Sequence, residues 1–287
     1  MNRDILALIQ DNMDTFSKGQ KRIANYILES YDKAAFMTAS KLGKRVNVSE
    51  STVVRFAAEL GYDGYPSMQR SLQKMIRNRL TSVQRIEVAN DRMGDQDVLN
   101  MVLQSDIDKI RLTLEEIDRD SFDKAAEAIV AARRIYVIGL RSSAAIATFM
   151  GFYFNLLFDN VVMITANTVS EVLESLLRVG ERDVVVGISF PRYSRRAVQA
   201  MSFARDRGAT TVAITDSEAS PLASISQYTL KARSDMASFV DSLVAPLSLV
   251  NALLVAVSRK KNEDLSKTFQ TLEKIWEEYG VYEKTPE

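Results

Sequence analysis

The chain has no cysteine and no histidine among its 287 residues. Without thiols there is no disulfide, thiolate nucleophile, zinc knuckle or iron–sulfur cluster, and the absence agrees with a reducing compartment. Without imidazole there is no His general base, no triad and no His-ligated metal, so acid–base chemistry would fall to Glu, Asp, Lys or Tyr. Also missing is any run near the ~20 apolar residues that a membrane-spanning helix needs. The opening MNRDILALIQDNMD has neither the basic start nor the apolar core of a signal peptide. Internal repeats and low-complexity tracts are absent too. Together these absences point to a cytoplasmic protein that makes no membrane contact and is not an enzyme. No catalytic residue, metal ligand or cofactor is expected.

What is present suits two soluble domains, since 46% apolar residues over this length suffice for one large core and one small one. The balance of 37 basic and 37 acidic residues conceals an asymmetry. Residues 1–80 hold 13 Lys plus Arg against 8 Asp plus Glu, whereas residues 81–287 hold 24 against 29. A basic amino-terminal module on an acidic body is the distribution that phosphate-backbone binding requires.

The richest motif is TASKLGKRVNVSESTVVRFAAEL, residues 38–60. Two short helical patterns meet there across a tight polar turn, as in a helix-turn-helix. Ala39, Leu42, Gly43 and Val46 fall at helical spacing in the first, Gly43 permitting close approach of a neighbour while Lys41, Lys44 and Arg45 stay outside. Asn47 suits the turn because Asn tolerates positive φ. Ser49 serves as N-cap of the second helix, which buries Val53, Phe56 and Leu60 and stops at Gly61. Its exposed face carries Glu50, Ser51, Thr52 and Arg55. Ser and Thr bond phosphates or base edges, and Arg takes guanine bidentately. The candidate contacts to double-stranded operator DNA are therefore Lys41, Arg45, Ser49, Glu50, Ser51, Thr52 and Arg55. The alternative is a solvated helical hairpin, and the charge asymmetry favours DNA.

The rest of the amino-terminal segment also reads as helices, including one capped by Ser17 with Gln20 three residues on and buried through Ile23, Ala24, Ile27 and Leu28. Residues 81–97 carry few apolar anchors and read as a linker that still has room for some helix. Amphipathic helices follow over 98–117 and 122–132. From Arg134 the pattern becomes IYVIG, VVMIT, DVVVGIS, TVAIT and YTLKA, alternating with helical segments over 142–158, 169–179, 195–207 and 239–260, with a last amphipathic helix around Phe269, Leu272 and Ile275. Such alternation predicts a parallel sheet with helices on both faces. The fold class is thus α/β preceded by an all-α domain.

In an open parallel sheet, ligands bind beyond the carboxyl ends of the strands. Two loops there suit an anion. Gly139-Leu140-Arg141-Ser142-Ser143 follows the first strand and offers backbone N–H groups, two hydroxyls and a helix N-terminus, while Ser189-Phe190-Pro191-Arg192-Tyr193-Ser194 follows the third and offers two hydroxyls and a guanidinium, again at a strand-to-helix junction. A weaker third junction is Thr215-Asp216-Ser217. Taken singly, such serines are more often simple helix caps. GLRSSA lacks the later glycines of GxGxxG, which disfavours a dinucleotide.

The two halves together resemble the RpiR family of bacterial transcription regulators, a helix-turn-helix joined to a sugar-isomerase-type (SIS) domain that binds phosphosugars. VSESTVVRFAAELGYDGY is similar to the family's recognition helix and following turn. VIGLRSSAAIA and ISFPRYSRRAV resemble its two phosphate loops, and GATTVAITDSEASPLA its fourth strand and turn. The resemblance implies domains at 1–80 and 98–287 around the 81–97 linker, the second a flavodoxin-like five-stranded parallel SIS sandwich that binds effector and dimerises. It implies phosphate-binding roles for Ser143, Ser189 and Ser194. Arg141 stands where the family usually has glycine, and Pro191-Arg192 replace its usual Ser-Gly. Charge-assisted bonds from Arg141 and Arg192 would make up for lost donors. The implied ligand set is Arg141, Ser142, Ser143, Ser189, Arg192 and Ser194. The implied protein is a homo-oligomer, dimer or tetramer, controlled by a phosphosugar or sugar-acid effector. The competing reading is a phosphosugar isomerase or epimerase using Glu171 or Glu174 as base. A third is a phosphosugar-binding protein whose helical head binds protein.

Overall fold

Among the described residues seven helices come first: α1 Ile5–Asp11, α2 Lys18–Glu29, α3 Tyr31–Ala34, α4 Ala39–Val46, α5 Glu50–Glu59, α6 Tyr65–Ile76 and α7 Ser82–Met93. The computed structural model describes residues 5–76, 81–93, 97–166, 168–235, 238–261 and 265–283. Ser17 and Gln20 form a reciprocal capping box at α2, which fixes where that helix starts. Its buried stripe, Ile23, Ala24 and Ile27, packs with Ile5, Ile9, Leu42, Phe56, Met68 and Leu72 in one core, where the Phe16 and Phe56 rings lie 5.0 Å apart. α6 ties down the connection between α3 and α4. The Tyr65 hydroxyl and Gln69 Nε2 each donate to the Met37 carbonyl at 2.7 Å, and Gln73 Nε2 donates to that of Ala35 at 2.8 Å. Burial pushes the Tyr65 phenol up to about 12.

The segment read as a linker contains α7. Its apolar residues are sparse, yet Val88 and Ala89 are buried, and so is Arg85. A partnered guanidinium contributes part of the buried face, which a count of apolar residues does not register. Residues 94–96 of that segment lie outside the described residues.

The remaining elements are α8 Val98–Glu116, α9 Arg119–Ala131, β1 Arg134–Gly139, α10 Ser143–Leu157, β2 Val161–Ile164, α11 Val169–Ser175, β3 Asp183–Ile188, α12 Arg195–Asp206, β4 Thr210–Thr215, a 3-10 turn Ala223–Ile225, β5 Tyr228–Lys231, α13 Val244–Lys260 and α14 Leu265–Glu278. All five expected strands form. They make one wholly parallel sheet in the order β2-β1-β3-β4-β5. α13 starts five residues later than its apolar pattern suggests, because Ser238–Val240 form a bend with Phe239 and Val240 exposed. α9, α10 and α13 pack together on one face of the sheet. On the other, α11 and α12 bury Val172, Leu176, Ala200, Met201 and Ala204 against Tyr136, Ile138 and Val185.

A salt link fixes the start of β3. Arg133 Nε and Nη2 donate to the two oxygens of the fully buried Asp183 carboxylate at 2.8 and 2.6 Å, and Gly180 N–H adds a third bond at 2.9 Å. The carboxylate holds the Arg133 guanidinium above its ordinary value. By contact the chain divides into two units. One is Met1–Lys109 with Pro191–Tyr193 and Ser234–Leu243, and the other is Ile110–Phe190, Ser194–Arg233 and Val244–Glu287. Among the described residues no helix is long and apolar enough to cross a membrane.

Candidate DNA-reading helix and anion-binding loops

The α4–α5 turn is built by local backbone chemistry. Asn47 takes a left-handed conformation, φ 55° and ψ 54°. The Asn47 and Val48 amides donate back to the Lys44 and Gly43 carbonyls at 3.4 and 2.9 Å, closing a Schellman motif. A Cβ on Gly43 would stand 2.8 Å from the Val48 carbonyl oxygen, so only glycine lets the turn fold back this tightly. Ser49 then caps α5, its Oγ accepting from the Thr52 amide at 3.3 Å and lying 2.9 and 2.8 Å from the Ser51 and Thr52 hydroxyls. Val53, Phe56 and Ala57 are buried, while Glu50, Ser51 and Arg55 are exposed. A second Schellman motif ends the helix at Gly61, φ 83°, where Gly61 N–H donates to Ala58 at 2.9 Å and Tyr62 N–H to Ala57 at 3.1 Å. The exposed face of α5 thus begins with three hydroxyls at a helix N-terminus and continues to the Arg55 guanidinium, which no side-chain partner among the described residues engages. On α4, Lys41 and Arg45 are exposed, and the Arg45 guanidinium stands over the Tyr26 ring at 5.9 Å.

In the sheet, β1 pairs with β2 on one side and β3 on the other, so strand order reverses between β1 and β3. Gly139 and Ile188 are register partners, and the two candidate loops therefore leave the sheet from adjacent positions. This is the topological switch point, where such sheets bind ligands. Gly139 is required there, since a Cβ would meet the Ser143 carbonyl oxygen at 2.6 Å and Ala147 Cβ at 2.7 Å.

The two loops use their serines differently. Ser142 stands at the N-cap of α10 without a side-chain cap bond, and no hydrogen bond from the Ser142 or Ser143 hydroxyl reaches another described residue. Ser143 is buried, while Arg141 and Ser142 are exposed. Arg141 adopts φ 58°. In the β3 loop, Ser194 caps α12 by accepting from Ala197 N–H at 3.4 Å. Ser189, buried, accepts from Ser194 N–H at 3.1 Å and so closes the loop on itself. Arg192 also takes a left-handed conformation, φ 63°. It falls in the contact unit of the helical bundle, where its Nη1 donates to Ser82 Oγ at 3.4 Å. The capping alternative thus describes Ser194 and does not describe Ser142 or Ser143.

The comparisons agree with this two-part layout. Residues 3–79 match the helix-turn-helix domain of the rpiR family, and residues 128–256 match the SIS domain. The chain is 30% identical, with a TM-score of 0.59, to the sugar isomerase domain of an RpiR transcription factor from Sphaerobacter thermophilus, spanning 62% of this chain and 99% of that one. It belongs to the RpiR family. The HTH-type transcriptional regulator HexR of Pseudomonas aeruginosa is 25% identical over 91% of this chain and 92% of its own length. The Vibrio vulnificus NanR protein, whose structure is a complex with ManNAc-6P, shares the fold over 97% of this chain and 99% of its own, with a TM-score of 0.60 at 23% identity. The chain is an RpiR-family DNA-binding transcriptional regulator.

Within an RpiR regulator the departures at Arg141 and Pro191-Arg192 acquire a structural meaning. Both arginines occupy left-handed backbone, which glycine adopts at no steric cost and an L-residue adopts at a penalty of about 1–2 kcal/mol. The fold commits two hydroxyls near the β3 loop. Thr215, fully buried, donates to the Ser189 carbonyl at 2.8 Å, and its oxygen lies 2.8 Å from the hydroxyl of buried Ser220, which in turn accepts from Leu222 N–H at 3.2 Å. At the junction after β4, read as a weaker anion loop, Thr215 thus buttresses the β3 loop. Its signal was the Thr-x4-Ser spacing within TDSEAS. Glu171 closes a capping box with Thr168, accepting from its N–H at 3.2 Å.

Proposed function

We propose that this RpiR-family regulator binds operator DNA through residues 1–80 and answers to an anionic sugar, a phosphosugar or sugar acid, held by the strand-end loops of residues 98–287. The observation that carries the effector half is the pair of Ser142 and Ser143 hydroxyls, which bond to no other described residue, beside a left-handed Arg141 at the switch point. Ser189, Ser194 and Arg192 supply the second loop. ManNAc-6P bound to the similarly folded NanR supports the phosphosugar class. In the DNA-binding half, Ser49, Ser51 and Thr52 contact phosphate or base edges, Arg55 reads a base, and Glu50, Lys41 and Arg45 flank the groove. The protein is a cytoplasmic homo-oligomer that presents two α5 helices to half-sites about 10 bp apart or a multiple of that. It carries out no reaction: Glu171, one of the two bases the sequence offers, is committed to capping α11.

The test is a thermal-shift panel of phosphosugars and sugar acids, followed by gel shifts on the protein's own upstream DNA. A ligand that raises Tm should change operator affinity by about 5- to 150-fold, the usual span of allosteric coupling. Arg55→Ala should weaken operator binding and leave the ligand shift alone. Ser143→Ala and Ser189→Ala should abolish the ligand shift and leave DNA binding intact. Serine variants that respond like the parent would overturn the site, and turnover of any phosphosugar would overturn the regulator-only reading.

A further inference from the structure

Pro191–Tyr193, which follow β3, and Ser234–Leu243, which follow β5, group with the amino-terminal helices and not with the sheet that they leave. Within that unit the first turns of α7 touch both segments. Arg192 Nη1 donates to Ser82 Oγ at 3.4 Å, and Arg85 Nη1 pairs with Asp241 Oδ1 at 2.8 Å, with side chains only 3% and 18% exposed. Between these two, Gln84 Nε2 donates to Asp32 Oδ2 at 3.3 Å, on α3 of the DNA-binding bundle. Next to Asp241, the Ser242 hydroxyl donates to Asp106 Oδ1 at 2.7 Å, and the same oxygen is paired with the buried Lys109 ammonium at 3.1 Å. Ser82, Gln84 and Arg85, on one turn of α7, thus make polar contacts with an effector loop, the bundle and the β5 loop in that order.

A buried ion pair contributes little net stability, because desolvation offsets its attraction. Its best-attested use is to specify one arrangement over another. α7 buries Arg85 alongside two small or medium apolar residues, Val88 and Ala89. We infer that the amino-terminal turn of α7 is the transmission element of the regulator: an anion at the strand-end loops takes the Arg192 guanidinium from Ser82, and the Arg85–Asp241 pair carries the displacement through α7 to Asp32 and the DNA-binding helices. Ser82 and Arg85 act as positioning residues and touch neither DNA nor effector. The inference rests on the effector reading given above.

The experiment uses the full chain and four probes, glucose 6-phosphate, fructose 6-phosphate, ManNAc-6P and 6-phosphogluconate, each read by thermal shift and by operator affinity. With the probe that raises Tm most, Ser82→Ala and Arg85→Met should keep the thermal shift while the change in operator affinity falls to less than about twofold, from the 5- to 150-fold typical of coupled sites. Arg85→Lys, which can restore the pair with Asp241, should recover most of the response. Ser82 is exposed, so its variant remains informative if Arg85→Met fails to fold. In the parent protein the same probe should change amide hydrogen exchange over residues 82–90. Variants that bind the probe and respond normally, or exchange in α7 that does not change, would overturn the transmission role and leave the effector site standing. A panel in which no probe shifts Tm would overturn the effector reading, and the inference with it.

Discussion

Arg141→Gly separates function from stability at a single position. The parent residue is held at φ 58°, so glycine removes a left-handed strain of about 1–2 kcal/mol. Against that, glycine gains conformational entropy in the unfolded chain, worth about 0.4–1 kcal/mol. The two effects offset one another, and the net change in stability should lie between roughly zero and 1.5 kcal/mol in favour of the variant. The side chain is exposed and has no partner among the described residues, so its loss breaks no internal contact. Effector affinity should move the other way. A hydrogen bond to a charged group is worth about 1.5–3 kcal/mol, which is roughly a 10- to 150-fold loss. Calorimetric melting of the unliganded protein and isothermal titration of the effector measure the two terms separately. Arg141→Asn is the control, since asparagine tolerates the same backbone without the charge. It should bind as weakly as the glycine variant and melt near the parent. An effector affinity within threefold of the parent in both variants, or a clear fall in melting temperature for the glycine variant, would refute the reasoning.

Three other outcomes follow from the packing. Gly43→Ala places a methyl 2.8 Å from the Val48 carbonyl. Overpacking of about 1–3 kcal/mol should exceed the helix-propensity gain of about 1 kcal/mol, lowering Tm and operator affinity together, as melting and gel shifts would show. Arg133→Ala leaves the buried Asp183 carboxylate with only the Gly180 N–H and should cost about 2–4 kcal/mol in urea unfolding, less than a fully buried pair because Arg133 is part exposed. Tyr65 has its folded pKa raised from 10.0 to about 12 by burial. Its contribution to stability is therefore complete below pH 10 and disappears as pH rises towards 12, a loss that Tyr65→Phe should abolish in alkaline melting series.

Much of the molecule was legible because its signals act within one turn of chain. Ser17 with Gln20, Ser49 with Thr52 and Ser194 with Ala197 are caps spanning three residues, and Asn47 and Gly61 mark the two Schellman turns. Short apolar runs sufficed to locate all five strands, since both faces of a parallel sheet are covered and every second residue need not be polar. Candidate residues of the DNA face followed from the same periodicity, which sorts a helix into a buried and an exposed side.

Other features depend on pairings that no local pattern records. The buried face of α7, within the segment read as a linker with room for helix, was not legible because it includes an arginine whose partner, Asp241, lies 156 residues away. The service of Thr215 to the Ser189 carbonyl, 26 residues distant, was not legible because it exists only once β3 and β4 lie side by side. The arginines at 141 and 192 were visible as departures from a family pattern, but their left-handed backbone was not, because an L-residue adopts that conformation only when the surrounding fold imposes it. Residue types and their spacing decided the elements and the two-domain plan. Which loops stand together at the switch point, and which serines have no hydrogen-bond partner among the described residues, was decided by tertiary packing, which brings distant strands into register and satisfies some polar groups while leaving others open.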